Sequence, residues 1–337
     1  MPGFQQTPAT LGKYLRQHGL AADPSALSIR ELGGGVSNFV LLVEGPGIRW
    51  VAKQSLGKLR VKDDWRSSRD RVFREAAAIQ SLGSILDGSV PQVVHVDRAN
   101  FLYLMTAAPE GSVVWKKLLL DGQVSIEVAE AAGRLLAAMI KASQSDPSFR
   151  EQFADRTVFD ELRIDPYYRT TAARHPEARE ALEQLVADSW KIETSLVHGD
   201  YSPKNMLVHG DNIFLIDFEV VHWGDPSFDS GFLLNHLVLK AFHQPKYADR
   251  YFEAARGFWR ALVAGLARAR TVDFAPMTVR HLGGLMLARM DGKSPVEYIR
   301  DEAVKSRVRR TAKRLLRERP ESLEEALEMT AQNAVKS

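Results

Sequence analysis

The stretch that decides the fold reads Leu196-Val197-His198-Gly199-Asp200-Tyr201-Ser202-Pro203-Lys204-Asn205 and resumes as Ile216-Asp217-Phe218-Glu219. Two short apolar runs, Met206 to Val208 and Ile213 to Ile216, lie on either side of a polar turn at residues 209–212. This pattern predicts a β-hairpin whose ends carry acidic side chains and an amide. Magnesium prefers carboxylate and amide oxygens, so the stretch could hold this ion beside a hydroxyl nucleophile.

The composition narrows the class of protein. Apolar residues make up 45% of the 337 residues and charged residues 26%, a balance typical of a soluble globular protein. The length favours two lobes. The chain has no cysteine, which excludes disulfides, thiolate nucleophiles and cysteine-ligated zinc. The nine histidines show no zinc-ligand spacing, which argues against a transition-metal enzyme.

Partners and location follow from charge and hydropathy. A net charge of +3 is too small to imply nucleic-acid binding. No apolar run approaches the roughly 18 residues needed to span a bilayer, and the N-terminus lacks the pattern of a signal peptide. We therefore expect a cytoplasmic protein with no membrane or nucleic-acid partner. The sequence leaves the oligomeric state open.

The first part of the chain has the pattern of an antiparallel sheet. Apolar runs predict strands at Ile29 to Leu32, Phe39 to Val43 and Ile48 to Ala52. The turn after the first strand is a candidate phosphate cradle because glycine lets backbone amides approach an anion closely. An ordinary hairpin is the alternative. The candidate residues of this turn are Gly33, Gly34, Gly35, Ser37 and Asn38.

Lys53 ends the third strand, and Glu75 lies on a predicted helix with Val72, Ala76 and Ile79 on its apolar face. Glu75 could hold the Lys53 ammonium towards a nucleotide phosphate. The alternatives are a snorkelling edge lysine and a solvated helix glutamate.

Two further strands, at Val93 to Val96 and Phe101 to Met105, precede a stretch that reads as a linker. We place a boundary there, which gives a β-rich lobe of residues 1–107 and a second lobe of residues 108–337. Apart from the central hairpin, the second lobe has helical patterns throughout.

The order of these features resembles the kinase-like fold, and specifically the aminoglycoside phosphotransferase superfamily of small-molecule kinases. The resemblance covers nearly the whole chain, and its most specific parts are His198-Gly199-Asp200 with Asn205, Asp217-Phe218-Glu219 and Gly224-Asp225-Pro226. It implies an α+β, bilobal protein-kinase-like fold with an antiparallel-sheet N-lobe and a mainly helical C-lobe.

The resemblance also implies roles. Asp200 is the base that orients the acceptor hydroxyl, and Asn205 and Asp217 hold Mg²⁺. Glu219 is either a second acidic group near the metal or a helix-facing or solvent residue. Lys53, positioned by Glu75, contacts the phosphates of ATP or GTP, and the linker around Met105 and Ala107 reads the purine mainly through backbone groups. His198 is structural, and Asp229 is either an N-cap-type residue or a group that fixes the catalytic loop.

The acceptor is less constrained by the sequence. Three stretches look most like 5-methylthioribose kinase, among them Leu287-Ala288-Arg289-Met290-Asp291-Gly292. That family has paired arginines near its C-terminus, whereas this chain has a single one, Arg289, our candidate for a substrate contact. Trp223 could stack on a substrate ring or simply pack. The basic C-terminal third argues weakly against a polycationic aminoglycoside as the acceptor, and a solvated helix face is the alternative explanation of that charge.

Two rival interpretations are a pseudokinase scaffold and a protein kinase. Lys53, Asp200, Asn205 and Asp217 are all present, which argues against a pseudokinase. Gly224-Asp225-Pro226 follows Asp217 almost at once, and this leaves little platform for a peptide substrate. The sequence therefore predicts a phosphotransferase that acts on a hydroxyl of a small, sugar-like molecule.

Overall fold

The structure is a computed structural model that describes residues 6–33, 38–55, 69–86, 88–266 and 274–334. The chain forms two compact units, Met1–Glu110 and Gly111–Ser337. The first is built on an antiparallel sheet and the second is mainly helical. Within the described ranges, no helix combines the length and the apolar character needed to cross a membrane.

In its described residues the first unit has five strands in the spatial order β1-β2-β3-β5-β4, and all the neighbours are antiparallel. Two helices accompany the sheet. The elements are α1 (Pro8–Gln17), β1 (Ser28–Glu31), β2 (Asn38–Gly45), β3 (Ile48–Ser55), α2 (Arg71–Gly83), β4 (Val93–Asp97) and β5 (Leu102–Thr106). All five predicted strands of this unit and the predicted helix are therefore present.

The two faces of the sheet bury different side chains because successive residues of a strand point to opposite sides. Ala52 of β3 joins the core that Leu11 and Leu15 of α1 form with Leu41 and Leu104. The next residue of β3 points to the other face, where α2 packs against β3, β4 and β5. Strand alternation thus places Lys53 on the side of the sheet that faces α2.

The second unit consists of helices of very different lengths. Within it, residues 160–169 form a π-helix with Pro166 inside. The α-helices are α3 (Trp115–Leu120), α4 (Ile126–Ser145), α5 (Ser148–Phe153), α6 (Thr157–Phe159), α7 (Thr170–Arg174), α8 (Arg179–Lys191), α9 (Ser227–His243), α10 (Ala248–Gly265), α11 (Phe274–Asp291), α12 (Glu302–Glu318) and α13 (Leu323–Ala334).

Close approach of α4 and α10 builds the centre of this unit. A Cβ atom on Gly133 of α4 would lie 2.2 Å from the carbonyl oxygen of Phe258 in α10. Only glycine allows the two backbones to come so near without rearrangement. Helix α9 packs against both α10 and α11, and all of its residues from Ser227 to Phe242 are buried.

The predicted hairpin is present as β8 (Met206–His209) and β9 (Asn212–Leu215). The expectation that the rest of this unit is helical was wrong in three places. A two-residue strand, β6 (Val113–Val114), pairs with β8, and β7 (Ser195–Val197) pairs with β10 (His222–Gly224). Strands of two or three residues are too short to show the alternation that identifies a strand, so they left no signal in the sequence.

Candidate active site

The loop after β7 is shaped by a glycine that cannot be replaced without strain. Gly199 has φ +74°, and a Cβ atom there would lie 2.8 Å from the carbonyl oxygen of Val220. Both the left-handed backbone and the close contact favour glycine. This turn directs the following residue, Asp200, away from the strand.

Asp229 holds this loop from the first turn of α9. Its two carboxyl oxygens accept the backbone N–H groups of His198 (2.6 Å) and Gly199 (2.9 Å). Burial raises the pKa of Asp229 to about 7, although both N–H donors favour its charged form. Of the two roles that the sequence left open, the geometry matches the one that fixes the catalytic loop.

His198 is a neutral support for the same loop. The Asp200 N–H donates to its Nδ1 at 3.1 Å, so Nδ1 is an acceptor and Nε2 carries the proton that bonds to the Ile216 carbonyl at 3.1 Å. Burial lowers the pKa of His198 to about 4. Both ring nitrogens therefore serve backbone groups, as the resemblance implies for a structural residue.

The Asp200 carboxylate lies between two cations. Its Oδ2 is 2.8 Å from the Lys204 ammonium and 3.0 Å from the Arg163 guanidinium. Burial would raise the pKa of Asp200, but the attraction of Lys204 and Arg163 outweighs it, and the pKa is lowered. At neutral pH the group is consequently a charged carboxylate despite being buried.

One backbone bond joins Asn205 to Ile216, the residue before Asp217. The Ile216 N–H donates to the Asn205 carbonyl at 3.0 Å, and the Asn205 side-chain amide donates to the Asp200 carbonyl at 3.0 Å. Because its nitrogen is used in this way, Asn205 offers its amide oxygen as a ligand. Asp217 has φ +71°, an uncommon backbone conformation that aspartate tolerates better than most residues.

This donor set fits a magnesium ion. Mg²⁺ is usually bound by one or two carboxylates together with phosphate oxygens and water. Asp217 and Glu219 are half-buried, so their carboxylates lie close to solvent. No group of three or more histidine, aspartate or glutamate side chains forms a metal-binding cluster in the described ranges.

In the first unit, Lys53 and Glu75 form an ion pair of 2.7 Å in which both side chains are almost fully buried. Gly33 and Asn38 flank the glycine turn, whereas Gly34, Gly35 and Ser37 lie outside the described residues. In the predicted purine-reading linker, Met105 is buried. The Ala107 N–H donates to the Arg49 carbonyl at 2.9 Å, so a purine contact by Ala107 would use its own carbonyl group.

The two predicted substrate residues have different surroundings. Trp223 is 7% exposed, and Arg156 binds its carbonyl at 2.8 Å, which favours packing over stacking on a ligand. Arg289 is half-buried and donates to the Tyr167 hydroxyl at 3.1 Å and to the Ser294 hydroxyl at 2.9 Å. Its guanidinium thus lies in a polar environment.

Comparison with known proteins identifies the family. The sequence profile of a family described as "Phosphotransferase enzyme family" (APH) matches residues 28–272. The chain belongs to this phosphotransferase enzyme family. The resemblance to the aminoglycoside phosphotransferase superfamily that the motifs indicated is therefore confirmed.

Two relatives of the chain are methylthioribose kinases. Methylthioribose kinase 2 of Oryza sativa subsp. japonica is 30% identical over 253 residues, which are 67% of this chain and 59% of the rice protein. The methylthioribose kinase of Escherichia coli O45:K1 is 25% identical over 251 residues, 66% of this chain and 60% of that one. The chain thus spans about three fifths of the length of these curated relatives.

The phosphotransferase fold is also found among solved structures. A choline/ethanolamine kinase family protein from Mesorhizobium loti has a TM-score of 0.50 and 18% identity, over 96% of this chain and 99% of the other. Together with the sheet and helices described above, this likeness confirms the predicted kinase-like α+β fold class.

Two residues of the candidate site are not predicted by the sequence. Arg163 is buried in the π-helix, where it bonds to the Gly199 carbonyl at 2.6 Å in addition to Asp200. Its partners lie more than thirty residues away in the chain, so no local pattern could have indicated it. Lys204 lies four residues after Asp200 in the same short loop, and this spacing could have indicated an ion pair between them.

Proposed function

We propose that this chain is a small-molecule kinase that transfers the γ-phosphate of ATP, or of GTP, to a hydroxyl of a small sugar-like acceptor. The acceptor oxygen bonds to the γ-phosphorus while the bond to the bridging oxygen breaks, and the nucleoside diphosphate leaves with that electron pair. The hydroxyl proton passes to Asp200. The absence of cysteine fits a cytoplasmic location.

The observation that carries this proposal is the state of Asp200. Phosphoryl transfer needs a group that aligns the acceptor hydroxyl, and it needs compensation of charge on the phosphate oxygens. Asp200 is an ionised carboxylate on a loop that Asp229 and His198 hold through backbone bonds. Such a fixed carboxylate suits the alignment of a hydroxyl.

The nucleotide and the metal have separate candidate ligands. Lys53, held by Glu75 at 2.7 Å, is the proposed contact for the nucleotide phosphates. Asn205 and Asp217, with Glu219 as a further carboxylate, would hold Mg²⁺, which supplies positive charge at the phosphate oxygens when bound. The β-rich first unit is accordingly proposed as the nucleotide-binding lobe.

For the acceptor, two classes have support. The methylthioribose kinases among the relatives favour a methylthioribose-type sugar, and the superfamily also favours an aminoglycoside-type acceptor. Both classes are polyhydroxylated, so the property that they share is a small size with several hydroxyl groups.

The test compares wild type with Asp200→Asn in an assay of nucleoside-diphosphate release with ATP and Mg²⁺. The acceptor panel contains sugars, sugar acids, sugar phosphates, amino alcohols and aminoglycosides. We expect turnover of at least one acceptor by wild type and a loss on the order of 10²- to 10⁴-fold in Asp200→Asn, the range for a general base. The exposed residue Lys141 provides a control variant, Lys141→Met, with unchanged turnover.

Two outcomes would point to the rival functions. Binding of ATP and Mg²⁺ in a thermal-shift titration without turnover of any panel member would favour a pseudokinase scaffold. Incorporation of phosphate into polypeptide would favour a protein kinase. Near-full turnover by Asp200→Asn would refute the assignment of the base.

A further inference from the structure

Helix α9 carries a stripe of three buried ionisable side chains, Asp229, His236 and Lys240, with Phe232 between them. Asp229, Phe232, His236 and Lys240 follow each other at spacings of three or four residues, which puts them on one face of the helix. Asp229 holds the catalytic loop at one end of this face. The stripe therefore leads from the catalytic loop to Lys240 inside the second unit.

Lys240 is a fully buried lysine. Its side chain is 0% exposed, and its ammonium donates to the His236 carbonyl at 3.1 Å. Among the residues that the structure describes, no acidic group forms an ion pair with it. A buried charge in this situation is costly, and burial, assisted by Lys116 and Arg289, lowers the pKa of Lys240 to about 7.

The groups around Lys240 also have unused hydrogen-bonding capacity. The Arg289 Nε and the Tyr298 hydroxyl are buried and have no hydrogen-bond partner in the described part of the chain. The Lys240 ammonium is 5.3 Å from the centre of the Tyr298 ring. The neighbouring acid, Glu297, is already paired with Lys116 at 2.5 Å. We call Lys116, Lys240, Arg289 and Tyr298 the Lys240 cluster.

The Lys240 cluster is connected to Asp200 by direct contacts. Arg289 donates to the Tyr167 hydroxyl at 3.1 Å. The Arg163 guanidinium lies 5.9 Å from the Tyr167 ring and 3.0 Å from the Asp200 carboxylate. Two residues, Tyr167 and Arg163, thus link the cluster to the proposed base.

A small cavity borders the same arginine. Its volume is about 220 Å³, and Arg289, Glu297, Arg300 and Lys305 contribute its charged lining. Three of these four charged side chains are cationic. The surroundings of Arg289 are therefore positive on the cavity side as well.

We propose that the Lys240 cluster is the acceptor subsite for an oxyanion, a carboxylate or a phosphate ester, carried by the same molecule whose hydroxyl faces Asp200. This inference rests on the proposed kinase function and replaces its two candidate acceptor classes with small polyhydroxylated molecules that carry an oxyanion. An oxyanion would supply the missing acceptor for the Arg289 Nε, the Tyr298 hydroxyl and the Lys240 ammonium. Methylthioribose, which is uncharged, and aminoglycosides, which are cationic, would leave this charge uncompensated.

Matched acceptor pairs test the proposal on the full chain. Ribose 5-phosphate is compared with 5-methylthioribose, and gluconate with glucitol, so that each pair differs mainly in the oxyanion. The two pairs separate phosphate from carboxylate as its source. We expect kcat/KM for at least one oxyanionic member to exceed that of its uncharged partner by about tenfold or more, since hydrogen bonds to charged groups are the stronger ones.

Lys240→Met keeps the length and the apolar stem of the side chain and removes its charge. We expect this variant to raise KM for the preferred oxyanionic acceptor by about 10- to 100-fold and to change KM for the uncharged partner less than twofold. Lys141→Met is the matched control. A wild-type preference for the uncharged or cationic acceptors would overturn the proposal, and so would equal effects of Lys240→Met on both members of a pair. Failure of the kinase function itself would appear instead as the absence of any turnover.

A wild-type measurement covers the case in which Lys240→Met does not fold. Calorimetric titration of the preferred oxyanionic acceptor at pH 8, in two buffers of different ionisation enthalpy, reports proton uptake. Binding should protonate Lys240 because a nearby oxyanion raises its pKa. The affinity should fall as the pH rises above 7. Absence of proton uptake, or absence of binding by both oxyanions, would overturn the proposal.

The other groups around Lys240 do not account for such uptake. Burial lowers the pKa of His236 and His243 further below 7, and it raises the pKa of Tyr251 and Tyr298 well above 8. The remaining charged groups that face Lys240 are Lys116, Arg289 and Glu297.

Discussion

The carboxyl group of Asp229 should make the stability of the protein fall as the pH rises. Burial raises its pKa to about 7 in the folded protein, whereas an aspartate in an unfolded chain has a pKa of about 3.9. Between these values the folded state binds a proton that the unfolded state has released. The free energy of unfolding therefore decreases with increasing pH in this window.

The variant Asp229→Asn removes the titration and keeps the shape. One pKa unit corresponds to about 1.36 kcal/mol, so the two units from pH 5 to the folded pKa of about 7 amount to about 3 kcal/mol. At pH 5 the variant should be less stable than wild type by about 1 to 3 kcal/mol, because the asparagine side chain has one acceptor for two buried N–H donors. At pH 8 the difference in the free energy of unfolding should have moved by about 3 kcal/mol in favour of the variant. The deficit seen at pH 5 should therefore disappear or reverse.

Urea unfolding of both proteins at pH 5 and pH 8, with linear extrapolation to water, measures this difference. Titration of His198 cancels in the comparison because both proteins contain it: it is neutral in the folded state, where its pKa is about 4, and it titrates equally in the two unfolded chains. The control is Asp146→Asn. Asp146 is exposed, and hydrogen bonds from Ser148 lower its pKa. The difference in the free energy of unfolding between wild type and Asp146→Asn should therefore be the same at the two pH values. A constant difference for Asp229→Asn as well would refute the reasoning.

Two further variants test the buried charges. Lys53→Met removes the ammonium that lies 2.7 Å from Glu75 and should lower the free energy of unfolding by about 3 kcal/mol. A double-mutant cycle with Glu75→Gln, measured by urea unfolding, should give a coupling energy above about 1 kcal/mol. Additive effects of the two substitutions would contradict a stabilising ion pair. For Lys240, the pKa of about 7 lies below that of an unfolded lysine, so only the unfolded state is charged between pH 7 and about 10. Between pH 7 and 9 the free energy of unfolding of wild type should therefore rise by about 2 to 3 kcal/mol relative to that of Lys240→Met. Urea unfolding measures this change, and a relative fall would be inconsistent with a desolvated lysine.

Much of the fold was predictable because its elements are long or strongly patterned. The strands of the first unit and the hairpin at residues 206–215 are bounded by glycine or polar turns, and the long helices have continuous apolar faces. The π-helix at residues 160–169 was not predicted. Its sequence, with Pro166 inside, has no regular helical pattern, and Arg163 ties it to the distant Gly199 carbonyl.

Some residues of the candidate site were likewise predictable from the sequence, and others were not. Asp200, Asn205 and Asp217 occur in one short segment, so a local motif is enough to indicate them. The charges that set the state of Asp200 come partly from Arg163, which only the folded chain brings near. Lys240 gave no signal at all, since a lysine in the last turn of an apolar helix usually extends to solvent.

The lowered pKa of Asp200 limits how this carboxylate could act as a base. Lys204 and Arg163 stabilise its charged form, and the same attraction makes it a weak proton acceptor. A hydroxyl proton would therefore move to Asp200 only after the bond to phosphorus has begun to form and the acceptor oxygen has become acidic. Phosphoryl transfer commonly proceeds through such a loose transition state, in which positioning contributes more than early deprotonation. In the proposed reaction Asp200 consequently acts first by fixing the direction of the hydroxyl, and weakening its contacts with Arg163 or Lys204 would disturb this alignment even where it increased basicity.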